Sequence, residues 1–269
     1  MFRRFAFLLW TFLIFIPFAF ASEPLPKRSY EIGPEIYRFV YEEKSVLVKD
    51  QGMMYGLKGS MTHHHNRYMF RLEGRGALGD VDYSSGGTGS IDNIKDYVFE
   101  GRLLAGYDYI DEDTKLYTVY TGLGYRYLND AGGGTVSTTG AHGYDREANY
   151  FYWPLGIEAN AIMNENWNVG AYAEYDYLLS GTQESHLSTA FPAYNDVFND
   201  QNTGWGFRGG IKFQKYTEKM DFTIEPFVRL WRIENSEVST VTVAGLVAGS
   251  GIEPQNKTTA WGANLSLAF

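Results

Sequence analysis

Apolar and polar residues alternate along this chain through ten stretches, at 29–42, 52–63, 67–79, 96–110, 115–129, 148–161, 166–180, 203–215, 220–235 and 257–269. A period of two is the mark of β-strands with two unlike faces. In the third stretch Tyr68, Phe70, Leu72, Gly74, Gly76 and Leu78 share one face, and Arg67, Arg71, Glu73 and Arg75 share the other. The fourth repeats this, with Tyr97, Phe99, Leu103, Ala105, Tyr107 and Tyr109 against Asp96, Glu100, Arg102 and Asp108. Away from the stretch ends, the apolar face carries no charge from the second stretch to the tenth. Each stretch is long enough to cross a membrane as a tilted strand, which takes about 9 to 11 residues.

Alternation alone also fits a soluble sandwich. Aromatic residues recur near both ends of the apolar faces, however, as in a lipid-facing barrel with a girdle at each membrane interface. The spacing therefore predicts an all-β protein: a ten-stranded antiparallel transmembrane β-barrel with up-and-down meander order. Two places break the pattern. In the first strand Tyr37, Phe39 and Tyr41 take over the apolar parity from Ile32 and Ile36, which predicts a bulge near Ile36. Pro154 and Pro226 fall inside the sixth and ninth strands, where each lacks a ladder hydrogen bond and calls for a bulge or a strand end.

The connections near 63–66, 111–114, 163–166 and 216–219 are tight. The alternate ones, near 43–51, 80–95, 130–147, 181–202 and 236–256, are all longer. Outer-membrane barrels combine short periplasmic turns with long extracellular loops, so both termini are expected in the periplasm. An even number of strands closes the sheet without a free edge.

The first residues read as an export signal over 1–21: Arg3 and Arg4, an apolar run from Phe5 to Phe18, then Ala19-Phe20-Ala21, leaving a barrel domain of 22–269. Loss of the two arginines takes the formal charge from −9 to −11. So acidic a chain is not expected to bind nucleic acid. The absence of cysteine rules out disulfides and thiolate metal sites. The 21 Tyr, 6 Trp and 30 Gly suit membrane interfaces and a crowded lumen.

The polar faces would send Lys58, Arg71, Arg75, Arg102, Arg126, Arg208, Lys212 and Arg229 into the lumen. Opposite them stand Glu73, Asp96, Glu100, Asp108, Glu158, Glu174, Asp176 and Glu225. A selective pore favours a ring of one sign. Mixed charges on neighbouring strands can pair, and ten strands are far fewer than the 16 to 18 or so that leave an aqueous channel. The expected interior is a polar plug, with Arg71, Glu73, Arg75, Glu100 and Arg102 forming a cluster across the third and fourth strands.

The export signal, the ten amphipathic strands and the ending Ala263 to Phe269 resemble the Gram-negative outer-membrane β-barrel superfamily. By that resemblance Leu265, Leu267 and Phe269 match the terminal signal that the outer-membrane assembly machinery reads. A narrower resemblance is to omptins, ten-stranded outer-membrane proteases in which an Asp-x-Asp pair and an Asp-x-His pair activate a water. Asp80 and Asp82 would match the first pair and His186 the general base, with Glu184 where the family has aspartate. The alternation points Asp80 and Asp82 outward unless Gly79 allows a bulge, whereas Glu184 and His186 share the lumen parity of the seventh strand.

Other clusters read more plainly. His63, His64 and His65 lie at a short turn, with alternating directions and no nearby carboxylate in sequence, so they are read as solvated and no metal site is assigned. Ser185 and His186, a conceivable nucleophile and base for a lipid-modifying enzyme, are adjacent in extended chain and cannot easily hydrogen-bond to each other. The outer loops carry Asp92, Asp130, Asp145, Asp196 and Asp200 with Phe191, Tyr194 and Phe198, and the alternating apolar stretch 239–251 is expected to prolong the last hairpin.

The expectation is a small monomeric outer-membrane barrel with a structural, surface-interaction or limited-permeability role, and an omptin-like protease is the alternative. Its expected partners are outer-membrane lipid and lipopolysaccharide, the assembly machinery during biogenesis, and a possible extracellular ligand at the loops. No cofactor is expected.

Overall fold

The computed structural model describes residues 28–111 and 115–269. The expected signal segment and most of the turn at 111–114 lie outside them. Ten long strands form the barrel wall: β1 (Arg28–Glu43), β2 (Val48–His65), β3 (Tyr68–Ser85), β4 (Gly89–Asp111), β5 (Lys115–Ala131), β6 (Asp145–Asn164), β7 (Trp167–His186), β9 (Gly204–Lys215), β10 (Asp221–Ile233) and β13 (Asn256–Ala268). Each pairs antiparallel with its chain neighbours, and β13 pairs with β1 to close the ring. The short strand β8 (Val197–Asp200) continues the ladder beside the end of β7, above the start of β9. The last loop folds into a hairpin of β11 (Ser239–Val243) and β12 (Leu246–Gly251).

Side chains alternate between wall and lumen as the period-two pattern predicts. The outer face carries one aromatic row that includes Tyr55, Tyr97, Tyr175, Trp205 and Trp261, and a second that includes Tyr30, Tyr68, Tyr109, Trp167 and Phe222, all exposed. Between these rows the outward positions hold no charged residue. A charge-free band between two aromatic girdles matches the hydrocarbon core of a bilayer. Leu265, Leu267 and Phe269 lie on this outer face, and the Phe269 ring stacks on Tyr30 across the seam at 5.8 Å.

The first strand corrects the expected bulge. Register between β1 and β2 runs unbroken from Arg28 opposite His63 to Glu43 opposite Val48. Tyr37 and Phe39 are buried in the lumen with Glu35, while Ile32 and Ile36 stay outside. Tyr37 and Phe39, with Tyr41 packed against them, belong to an internal apolar cluster with Met54, Val81, Val98 and Phe227.

The prolines are accommodated by gaps in pairing. The β5–β6 ladder skips Trp153 and Pro154, and the β9–β10 ladder skips Glu225 and Pro226, each resuming in the same register. A proline has no N–H to give, so one side of the ladder opens while the other keeps its partner. The register shift in this part of the wall lies on the other side of β6, where β7 gains an extra residue near Leu179 and Ser180. Beyond it the buried positions of β7 are Gly181, Gln183 and Ser185, so the facing of Glu184 and His186 is reversed from that predicted.

The described ends of the chain, Arg28 and Phe269, lie at one end of the barrel, called the terminal end, and the long loops lie at the other, the loop end. Two of the expected long loops are instead long hairpins, since β1 and β2 meet at 44–47 and β3 and β4 at 86–88. Connections of more than twelve residues remain between β5 and β6, β7 and β9, and β10 and β13. The hairpin of β11 and β12 leans on the loop after β7: Asn195 accepts from the Thr242 N–H at 2.6 Å, and Ala244 donates to the Ala193 carbonyl at 2.7 Å.

Candidate functional site

The middle of the lumen is filled by ion pairs that cross from wall to wall. Arg75 on β3 donates to Glu100 on β4 at 2.6 Å and to Glu35 on β1 at 3.0 Å, and Glu35 also accepts from Arg229 on β10 at 3.1 Å. Arg102 bonds Glu73 beside it and Glu174 on β7 at 2.6 Å. Arg208 on β9 reaches Glu100 at 2.7 Å, Glu174 at 2.8 Å and Asp176 at 2.9 Å. Toward the terminal end Arg71 pairs with Glu158 at 2.9 Å and Lys58 with Glu225 at 3.0 Å, and Lys212 stands 3.8 Å from both Glu225 and Glu31.

Tyrosines complete the network. Tyr152 donates to Glu100, and Tyr172 donates to Glu225 at 2.9 Å. The Tyr152 ring lies flat over Gly124, where a Cβ would sit 2.1 Å from the ring, so the absent side chain makes this placement possible. Arg126 differs from the other cations: its guanidinium lies over the Trp231 ring, 5.4 Å from the centroid, with no ion pair among the described residues. Between these side chains the cavity is about 30 Å³, room for about two waters.

The expected cluster of Arg71, Glu73, Arg75, Glu100 and Arg102 is thus one part of a larger belt. Sequence reasoning missed Glu31 and Glu35, because the presumed bulge in the first strand took that strand out of register. Unbroken alternation from Ile32 would have placed both on the lumen face. It also missed the tyrosines, whose polar tips are invisible to a two-letter pattern.

Below the belt, at the terminal end, lies a cavity of about 300 Å³ lined by His64, Thr62, Glu31, Arg71, Lys212 and Thr118 among others. Here the structure corrects the reading of the histidine turn. His64 points inward, and its Nδ1 lies 2.6 Å from Asp108, which also accepts from Thr118 at 2.7 Å. Its carboxylate partner comes from β4, 44 residues away in sequence.

Above the belt, at the loop end, Asp50, Asp96, Asp130, Arg146 and Tyr150 border a cavity of about 50 Å³. Asp96 and Asp130 are directly opposite in register. Each of the three aspartates keeps a buried oxygen without a hydrogen-bond partner. The basic group here is Arg146, bound to Glu43 at 2.8 Å and Glu253 at 2.7 Å, with Tyr41 under its guanidinium. Burial raises the carboxyl pKa of Glu253, with Arg146 opposing that shift.

The four residues of the protease alternative do not come together. Asp80 and Asp82 are exposed on the outer face of β3, and the Asp80 carboxylate is paired with Lys95 there. His186 is four strands away at the end of β7, on the outer side of the wall. Its Nδ1 faces Asp196 at 3.3 Å, and its Nε2 lies 3.7 Å from Glu147 and 3.9 Å from Glu184. Ser185 is buried on the opposite side of the strand. Hydrogen bonds from the hydroxyl and N–H of Ser188 lower the pKa of Asp196.

No protein-family model and no curated protein sequence matches the chain. Among solved structures it is similar to the outer membrane protease OmpT from Escherichia coli, at 12% identity over 90% of this chain and 96% of that one, with a TM-score of 0.58. It overlaps more loosely with the translocator domain of the autotransporter NalP from Neisseria meningitidis, at 11% identity over 91% and 88% of the two chains and a TM-score of 0.45. The toluene transporter TodX from Pseudomonas putida gives 10% identity over 90% and 89%, with a TM-score of 0.35. At these identities the similarity is one of fold: the chain has the closed antiparallel barrel architecture of outer-membrane β-barrel proteins.

Proposed function

We propose that this protein is a plugged barrel of the Gram-negative outer membrane, with its termini in the periplasm and its loop end at the cell surface, and that its role is structural or in surface interaction. The observation that carries this reading is the charge belt. Cations from β2, β3, β4, β9 and β10 meet carboxylates from β1, β3, β4, β6, β7 and β10, and little open space remains between them. Ions entering from either end would have to displace buried pairs whose own partners would be left uncompensated. The charge-free outer band supports contact with membrane lipid, including lipopolysaccharide at the outer leaflet. The outward Leu265, Leu267 and Phe269 support recognition by the assembly machinery.

Planar-bilayer recording of the refolded protein tests this. The native protein is expected to show no steady open level, and the triple variant R102S, E174S, R208S is expected to show discrete conductance steps. A large steady conductance in the native protein would overturn the proposal.

A further inference from the structure

The extra residue in β7 has a chemical consequence on the outer wall. Beyond Leu179 and Ser180 it turns Glu184 and His186 outward, and register places Glu184 directly opposite Glu147 of β6. Two carboxylates facing each other across a ladder repel. Here a third group completes the set. The donor atoms of Glu147, Glu184 and His186 all lie within 4.8 Å of one another, and all three side chains are part-exposed.

The imidazole is oriented from behind. Its Nδ1 faces the Asp196 carboxylate at 3.3 Å, and Ser188 anchors that carboxylate by its hydroxyl at 2.6 Å and its N–H at 3.1 Å. A carboxylate on one imidazole nitrogen leaves the other free to ligate, as in carboxylate–histidine–metal arrangements. The free Nε2 points between the two glutamates, at 3.7 and 3.9 Å, beyond hydrogen-bond length to either. Ligands about 2.1 Å from a tetrahedral ion stand about 3.4 Å apart, so a small inward movement brings all three into a first coordination shell. A fourth position would remain for water or a lipid oxygen. Glu147 also accepts a long bond from Asn129, at 3.5 Å, which tethers it from the neighbouring strand.

The site is accessible. Glu147 lies four residues beyond the exposed Phe151, about 13 Å along the strand on the loop-end side of the aromatic row. It therefore stands clear of the charge-free band.

We propose that Glu147, Glu184 and His186 form a divalent-cation site of zinc-like preference on the outer wall at the loop end, with Asp196 as the positioning residue. One imidazole and two carboxylates suit a borderline ion better than calcium or magnesium, which take oxygen ligands alone.

Zinc titration of the refolded full-length protein in micelles, by calorimetry, tests the site. The tetrahedral visible spectrum of bound cobalt gives a second readout, and heat-modified gel mobility reports the folded barrel. One saturable equivalent is expected. H186A should weaken binding at least about 100-fold, with H186Q as the volume-conserving check on folding. E147Q and E184Q should each weaken it at least about 10-fold. D196N should lower affinity about 10- to 100-fold while the cobalt spectrum keeps its tetrahedral form, as befits a group acting through the imidazole. The double variant H63A, H65A, at the other end of the barrel, should change nothing. No saturable binding, binding that survives loss of His186, or binding lost with His63 and His65 would each overturn the proposal.

Discussion

The middle and the loop end of the lumen are both buried, both polar and only a few residues apart, yet their charges are arranged differently. In the middle every carboxylate is ion-paired, and Arg208 alone serves three of them, although Glu174 and Asp176 each keep a second buried oxygen without a partner. At the loop end Glu43 and Glu253 pair with Arg146, while Asp50, Asp96 and Asp130 border the same cavity as Arg146 with no ion pair among the described residues. A network in which each acid has its cation holds the wall rigid, because losing any member strands its neighbours. An acidic surplus adds repulsion and leaves unspent capacity to accept a cation or a donor from outside. Stability is thus concentrated in the belt and interaction capacity above it.

The sharpest way to break this comparison is to delete Arg208. R208A leaves Glu100, Glu174 and Asp176 short of a buried partner and is expected to cost about 3–5 kcal/mol, read as a lower urea midpoint for the heat-modified gel shift. A cost under about 1 kcal/mol would show that the belt does not hold the barrel. G124A comes next. Its new methyl group collides with the Tyr152 ring and displaces the hydroxyl from Glu100, for a loss of about 1–3 kcal/mol in the same measurement.

At the loop end the expected sign reverses. D96N removes one of two opposed buried carboxylates and should raise stability by about 1 kcal/mol, and a loss instead would mean that the vestibule holds a cation. The smallest effect concerns pH. Glu253 has a raised pKa, so it holds its proton more tightly folded than unfolded. Its contribution is therefore fully present below the ordinary glutamate value and is lost as pH rises through the raised one. E253Q should flatten that part of the stability-against-pH curve, and melting of both proteins in matched buffers measures the difference.

Much of the wall was legible because a strand exposed to lipid on one side and to a polar lumen on the other writes its two faces directly into alternate residues. Third and fourth strands such as these leave no second register, since a slip of one residue would put Arg71 and Arg102 in lipid. The first strand was misread for the opposite reason. Its lumen face carries Tyr37, Phe39 and Tyr41, which look like lipid-facing residues, and only the packing of their rings against Met54, Val81 and Phe227 reveals an apolar patch inside the barrel. His64 was likewise assigned to solvent because its partner Asp108 sits one hairpin away. The outer-wall cluster was hidden by one residue: without the extra residue near Leu179 and Ser180, Glu184 and His186 keep the lumen parity the sequence implies.

By itself the sequence determined the strand count, the closed meander and the outward band, because those follow from local alternation that each strand carries alone. Tertiary structure decided which charges meet, where pairing opens at the prolines, and which way the end of β7 faces. Those outcomes depend on contacts between residues far apart in the chain and on a single-residue shift in register, and the alternation of one strand contains neither.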